Sequence, residues 1–179
     1  MKRINVIDLD NTLIPYDSFR VLVKNELKKF SIKIWLLTFL RVARIISAMD
    51  FKKSVIGYFL VSYNSVFFTK FAKRVYSDID KEVLNIIKSN TNSNTINILI
   101  SASPDFYVKE LIALLGWEGK GSYFDENKNF INLFGEKKIF WLKENFNRNL
   151  YDYFFAISDG NSDKQLLSLF QKSILWEKK

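Results

Sequence analysis

Three short runs of apolar, β-forming residues, at positions 4–7, 95–101 and 151–157, each stop abruptly on polar residues able to turn the chain. The run TINILIS at 95–101 has the pattern of a strand covered on both faces. Helical patterns lie between and after the later runs. Ile79, Val83, Ile86 and Ile87 share one face of a helix over 78–89, and further helices are expected over 136–146 and 164–170. Ser103-Pro104 is expected to cap a helix, with proline at its first position, that runs to Leu115 before Gly116. Residues 116–134, with three glycines, predict a small hairpin or loop excursion, and 173–176 a last short strand. From residue 78 on, helix and strand alternate, which predicts an α/β fold: a mostly parallel sheet with helices on both faces.

The segment before that alternation is different. Asp17-Ser18 has the form of a helix cap, and residues 19–30 then alternate apolar and basic side chains at helical spacing. Residues 32–49 are rich in apolar side chains but broken by Lys33, Arg41 and Arg44, and the uncharged stretch 54–69 falls short of the ~20 apolar residues a membrane span needs. Residues 18–76 are therefore read as a bundle of about four helices. This region is also where the charge lies. Residues 1–75 hold 14 Lys and Arg against 5 Asp and Glu, whereas 76–179 hold 13 against 14, so the net charge of +8 comes from the first segment. Such a surface is either a solvated helical face or one that attracts anions or lipid.

At 179 residues the chain suits one domain, or one core with a small lobe. It has no cysteine and no histidine. Disulfides, thiolate nucleophiles, Ser-His-Asp triads and ordinary zinc sites are thereby excluded, leaving carboxylates, lysines, hydroxyls and a hard metal ion for any catalysis. Only four residues separate the basic start from Asp8, too few for the apolar part of a signal peptide, so a cytoplasmic location is expected.

In a parallel sheet, ligands collect outside the carboxyl ends of the strands. Three strand ends here carry polar groups: Asp8 with Asp10, Ser101, and Asp159 with Asp163. Singly, each is an ordinary turn former; their convergence is what points to a site. A calcium loop is excluded, because its sixth position would be Leu13 rather than glycine and its twelfth Phe19 rather than glutamate.

DLDNTL at 8–13, SASPD at 101–105, a lysine after Gly135 and SDGNSD at 158–163 follow the order of four motifs, and in this the chain resembles the haloacid dehalogenase (HAD) superfamily of phosphohydrolases, most closely its phosphoserine phosphatase-like branch. The resemblance implies a Rossmann-like three-layer core, formed by 1–17 and 77–179, with a helical cap at 18–76 inserted after the first strand. It implies that Asp8 forms an aspartyl phosphate and that Asp10 protonates the leaving alcohol and then deprotonates water. Asp8, the backbone carbonyl of Asp10, and Asp159 would hold Mg²⁺, with Thr12 and Asp163 as supports. Ser101 and the N–H of Ala102 would bind phosphate together with Lys138, or with the adjacent Lys137. Ser158 stands where the family commonly has glycine, and Ser162 where phosphoserine phosphatases often have asparagine.

Selectivity is expected from the cap. Asp17, nine residues after Asp8, stands where phosphoserine phosphatases carry an acid for the substrate ammonium, and it is equally a helix cap. Arg20, Arg41 and Arg44 are candidate partners for a carboxylate or second phosphate. The leading expectation is a Mg²⁺-dependent phosphatase for a small phosphorylated amino acid, amino alcohol or sugar. The first alternative is a membrane-associated phosphatase for lipid phosphates such as phosphatidylglycerophosphate, with a weak anionic membrane contact through the basic cap. The second is a non-enzymatic basic module, although no nucleic-acid signature accompanies the charge.

Overall fold

The computed structural model of the chain describes residues 1–177. Its centre is strand β1 (Lys2–Ile7), followed by helices α1 (Ser18–Lys28), α2 (Ile32–Val42), α3 (Ala48–Ser62), α4 (Ser65–Ser77) and α5 (Lys81–Ser89). Strand β2 (Thr95–Pro104), α6 (Asp105–Leu115), β3 (Glu118–Phe124) and β4 (Phe130–Ile131) come next. Then follow α7 (Glu136–Asn145), β5 (Tyr151–Ser158), a 3₁₀ turn (Asn161–Asp163), α8 (Lys164–Leu167) and β6 (Lys172–Leu175).

The six strands lie in the order β4-β3-β2-β1-β5-β6. All neighbours are parallel except β3 and β4. From β1 the chain builds outward through β2 and β3, then returns to the other side of β1 with β5. The gap between β1 and β5 is thus the point where strand order reverses, the place where open α/β sheets form their ligand crevice.

Alternation along the strands divides the core in two. Ile4, Val6, Ile98, Ile100 and Ala156 point to the face covered by α7 and α8, where they meet Leu142, Leu166 and Leu167. Ile7, Leu99, Phe155 and Ile157 point to the other face, toward α6 and the inserted helices. Successive strand residues face opposite ways, so this two-sided burial requires the nearly continuous apolar runs seen in the sequence.

Helices α1 to α5, inserted after β1, form a cap. Stacked and tilted rings tie it to α6: Phe59 to Phe106 at 5.8 Å between centroids and Phe68 to Phe106 at 4.4 Å. Rings at such spacing contribute roughly 0.5–1.5 kcal/mol each beyond the area they bury. No helix among the described residues is long and apolar enough to cross a membrane.

Two local expectations change. Ser103 and Pro104 belong to the end of β2, and Pro104 precedes the helix instead of opening it. The Ser103 side chain does not cap α6, because its hydroxyl is engaged elsewhere. The expected excursion at 116–134 does contain a hairpin, but its first strand, β3, joins the main sheet beside β2. That approach is close enough that a Cβ on Gly119 would lie 2.0 Å from the Leu99 carbonyl oxygen, so only glycine fits there.

Candidate active site

β1 ends at Ile7, and the next residue, Asp8, is still tied to the sheet by its N–H to the Ile157 carbonyl. The chain then turns, and Asn11 takes up positive φ. Asp8 and Asp10 consequently reach different surroundings.

Asp8 faces the crevice between β1 and β5. Lys138 Nζ lies 2.9 Å from Asp8 Oδ1, which also accepts the Leu9 N–H. The same ammonium is 2.6 Å from Asp163 Oδ2. Lys138 is buried on the first turn of α7, whereas Lys137 is exposed. Gly135, at φ 56°, makes the sharp entry to that helix. The two carboxylates hold Lys138 charged: burial pulls its pKa down, but Asp8 and Asp163 outweigh this and raise it. The Ser158 hydroxyl lies 2.7 Å from Asp163 Oδ2 and 3.2 Å from Asp8 Oδ2. Having one proton, it can donate to only one of them at a time. Thr12, also buried, accepts the Asp159 N–H at 2.9 Å and so ties the turn after β1 to the end of β5.

Asp10 sits instead in a cage of hydroxyls. Its Oδ1 accepts the Ser18 N–H at 2.7 Å and the Ser18 hydroxyl at 2.6 Å, and its Oδ2 accepts the Ser103 hydroxyl at 2.5 Å. Tyr107 Oη lies 2.7 Å from Ser18 Oγ, and with the Ser18 proton given to Asp10 the tyrosine must be the donor. Burial raises the Asp10 pKa from 3.8 to about 6, with the Ser103 and Ser18 hydrogen bonds opposing and the charge of Asp8 adding a little. The cage suits both protonation states. When Asp10 is neutral, its proton can go to Ser103, whose own hydroxyl can turn to Ser18 Oγ, 3.1 Å away.

Ser101 is buried, and its Oγ accepts the Ser103 N–H at 3.0 Å. The carbonyl of Ala102 accepts from Ser122 Oγ at 2.6 Å and from Lys52 Nζ at 2.6 Å. Lys52, on α3 of the cap, also donates to Asn132 Oδ1 at 2.6 Å. Burial lowers its pKa from 10.5 to about 8, against the attraction of Asp10 and Asp17. A cap lysine therefore stands within electrostatic reach of both acids. Asp17 caps α1, accepting the Arg20 N–H at 2.8 Å. Arg20 and Arg44 are exposed and Arg41 is half-buried.

Nothing in the sequence marks Lys52 or Tyr107 as site residues, and Ser18 and Ser103 read there only as parts of helix caps. SASPD contained the Ser103 signal. Lys52 carried none, since it is one of two adjacent lysines on a mixed helix.

The residues present fit a hard divalent cation. Asp8, Asp159 and Asp163 set three carboxylates against one buried lysine, a surplus of two negative charges. Asp159 feels this: burial first, and then the charge of Asp8, raise its pKa. Asp163 Oδ1 is buried without a hydrogen-bond partner. Among the described residues no three acidic side chains converge into a ready-made metal cage. A divalent cation here would rest on one or two of these carboxylates together with backbone oxygen and water.

A family model for haloacid dehalogenase-like hydrolases matches residues 6–168. Among solved structures, a protein of unknown function from Bordetella pertussis Tohama I is similar with TM-score 0.70 and 14% identity, over 97% of this chain and 89% of that one. A HAD family hydrolase from Salmonella enterica subsp. enterica serovar Typhi gives TM-score 0.61 and 16% identity, over 93% of this chain and 60% of that one. A phosphoserine phosphatase from T. onnurineus gives 0.53 and 19%, over 97% and 82%. At these identities the likeness is one of fold. No curated protein matches the chain in sequence.

Proposed function

The chain belongs to the haloacid dehalogenase-like hydrolases, and on that premise we propose that it is a Mg²⁺-dependent phosphatase that hydrolyses a small phosphomonoester through an aspartyl phosphate on Asp8. The observation that carries this reading is the contrast between two acids two residues apart. Asp8 is paired with a buried lysine at the crevice, while Asp10 is caged by hydroxyls with its pKa raised to about 6. Environments that separate two carboxyl groups in this way assign one as nucleophile and the other as proton carrier.

In the first step the Asp8 carboxylate attacks phosphorus, the bond from phosphorus to the alcohol oxygen breaks, and Asp10 gives its proton to that oxygen. In the second, Asp10 takes a proton from water, the water oxygen attacks phosphorus, and the bond to Asp8 breaks, restoring both acids. Lys138 and Ser101, with the N–H of Ala102, meet the charge on the phosphoryl oxygens. Asp8, the Asp10 carbonyl and Asp159 would hold Mg²⁺, which when bound neutralises further charge on those oxygens. Thr12, Asp163 and Ser158 keep these groups in place.

We assign substrate choice to the first four inserted helices, at 18–76, and the chemistry to residues 1–17 and 77–179, counting the last inserted helix, α5, with the core. Lys52 in the cap reaches the Ala102 carbonyl beside Ser101, and Asp17 is near enough to act on it electrostatically, a pair of opposite charges that suits a zwitterionic ester such as a phosphorylated amino acid or amino alcohol. A lipid-borne phosphomonoester is the second reading, favoured by the exposed apolar face of α2. Asp8→Asn, assayed with Mg²⁺ against phosphorylated amino acids, amino alcohols and sugars, is expected to lose activity by roughly 10³-fold or more. Turnover near the wild-type rate would remove Asp8 as the nucleophile.

A further inference from the structure

Helix α2 turns apolar side chains both inward and outward. Ile34 is fully buried in the cap, while Ile32, Trp35, Leu36, Phe39 and Val42 are exposed; Ile32 is 85% and Phe39 64% accessible. The spacing of these five, i, i+3, i+4, i+7 and i+10, places them on one face of the helix. Trp35 already spends its indole N–H on the Leu27 carbonyl, so what it presents outward is ring. Phe30 before the helix, 80% accessible, and Ile45 after it extend the same apolar character. Scattered surface hydrophobics are ordinary, but a contiguous row marks a contact surface.

The charge around this row selects the partner. Lys29 is paired with Glu26 at 2.6 Å, but between residues 27 and 49 the chain also carries Lys28, Lys33, Arg41 and Arg44 and no acidic residue. A second copy of the chain meeting this face through a two-fold axis would bring these cations against their own copies. A bilayer surface with anionic headgroups meets both features together, taking the apolar row below the headgroups and the cations among them. We propose that α2 is a peripheral membrane-docking helix that lays its Ile32, Trp35 and Phe39 face into the interface of an anionic lipid surface. The docking depends on this face and not on turnover.

Flotation with vesicles of phosphatidylcholine containing about one third phosphatidylglycerol tests it at low salt, where attraction between the cations and the anionic headgroups is least screened. The wild-type and Asp8→Asn proteins are expected to float with these vesicles and not with phosphatidylcholine alone. Leu36→Ser/Phe39→Ser, at two exposed positions, is expected to lower the bound fraction at least tenfold while hydrolysing a soluble aryl phosphate as the wild type does. Lys33→Glu/Arg44→Glu is expected to lower it as well. Failure of the wild type to float, or flotation of the Leu36→Ser/Phe39→Ser protein at the wild-type level, overturns the proposal. So does a wild-type dimer, seen by light scattering, that this double variant dissociates, since a second copy would then cover the face.

Discussion

The corner between β1 and β5 and the helix α2 handle their side chains in opposite ways. At the corner, charged and hydroxyl groups are buried, and nearly all are partnered: Lys138 is shared by Asp8 and Asp163, and Asp10 accepts from two serines. On α2, apolar side chains stand exposed. Burying charge is costly unless each group is matched, so the corner is rigid and intolerant of change. The α2 face contributes little to folding and is open to change without harm to the core.

The contrast can be broken most forcefully at Lys138. Lys138→Met leaves Asp8 and Asp163 without their cation, and denaturant unfolding is expected to show a loss of about 3–5 kcal/mol along with loss of turnover. A stability within ~0.5 kcal/mol of wild type would show that the corner is far less tightly coupled than its distances suggest. Lys52→Met should act on binding. Losing one charge-assisted hydrogen bond, worth roughly 1.5–3 kcal/mol, is expected to raise KM for an anionic ester about tenfold or more and to change kcat less.

The pH dependence of that lysine follows from its lowered pKa of about 8. The ammonium is present below pH 8 and lost above it, so wild-type KM should climb through that pH, and the climb should be absent in Lys52→Met. Stability runs the other way. Between about 8 and 10.5 the unfolded chain binds the proton that the folded chain has released, so this residue's contribution to stability rises with pH across that window.

A smaller change is expected at Ser103. Its hydroxyl stabilises the charged form of Asp10, so Ser103→Ala should raise the Asp10 pKa further above about 6 and move the corresponding limb of the kcat/KM profile to higher pH. An unmoved limb would remove Asp10 as the titrating group. The smallest effect belongs to α2, where Leu36→Ser/Phe39→Ser should leave unfolding free energy within about 0.5 kcal/mol of wild type. A larger loss would mean the face is part of the cap's own packing.

Much of the corner was legible because its signals are local. A β-run that halts on DLDNTL, and another that halts on SDGNSD, put Asp8 and Asp159 at strand ends, and parallel pairing then brings those ends together. The helix that starts after Gly135 placed a lysine nearby, though not which of the pair; burial separates Lys138 from Lys137. Ser-Pro by itself reads as a helix start, yet Ser103 lies at the end of β2. Its hydroxyl is drawn off by Asp10, 93 positions earlier in the chain. Ser18 and Tyr107 carry no local mark of their partnership, which joins β1, α1 and α6.

The sequence alone determined the order of strands and helices, the basic character of the inserted region, and the acids that emerge at the sheet edge. These follow from residue periodicity and turn chemistry, which act over a few residues. Only the tertiary structure decided which hydroxyls surround Asp10, that Lys52 reaches in from the cap, and which side of α2 is left uncovered. The reason in each case is that the deciding partner is distant in the chain. For α2 the pattern itself is also ambiguous, because a helix apolar on both sides does not say which side its neighbours will cover.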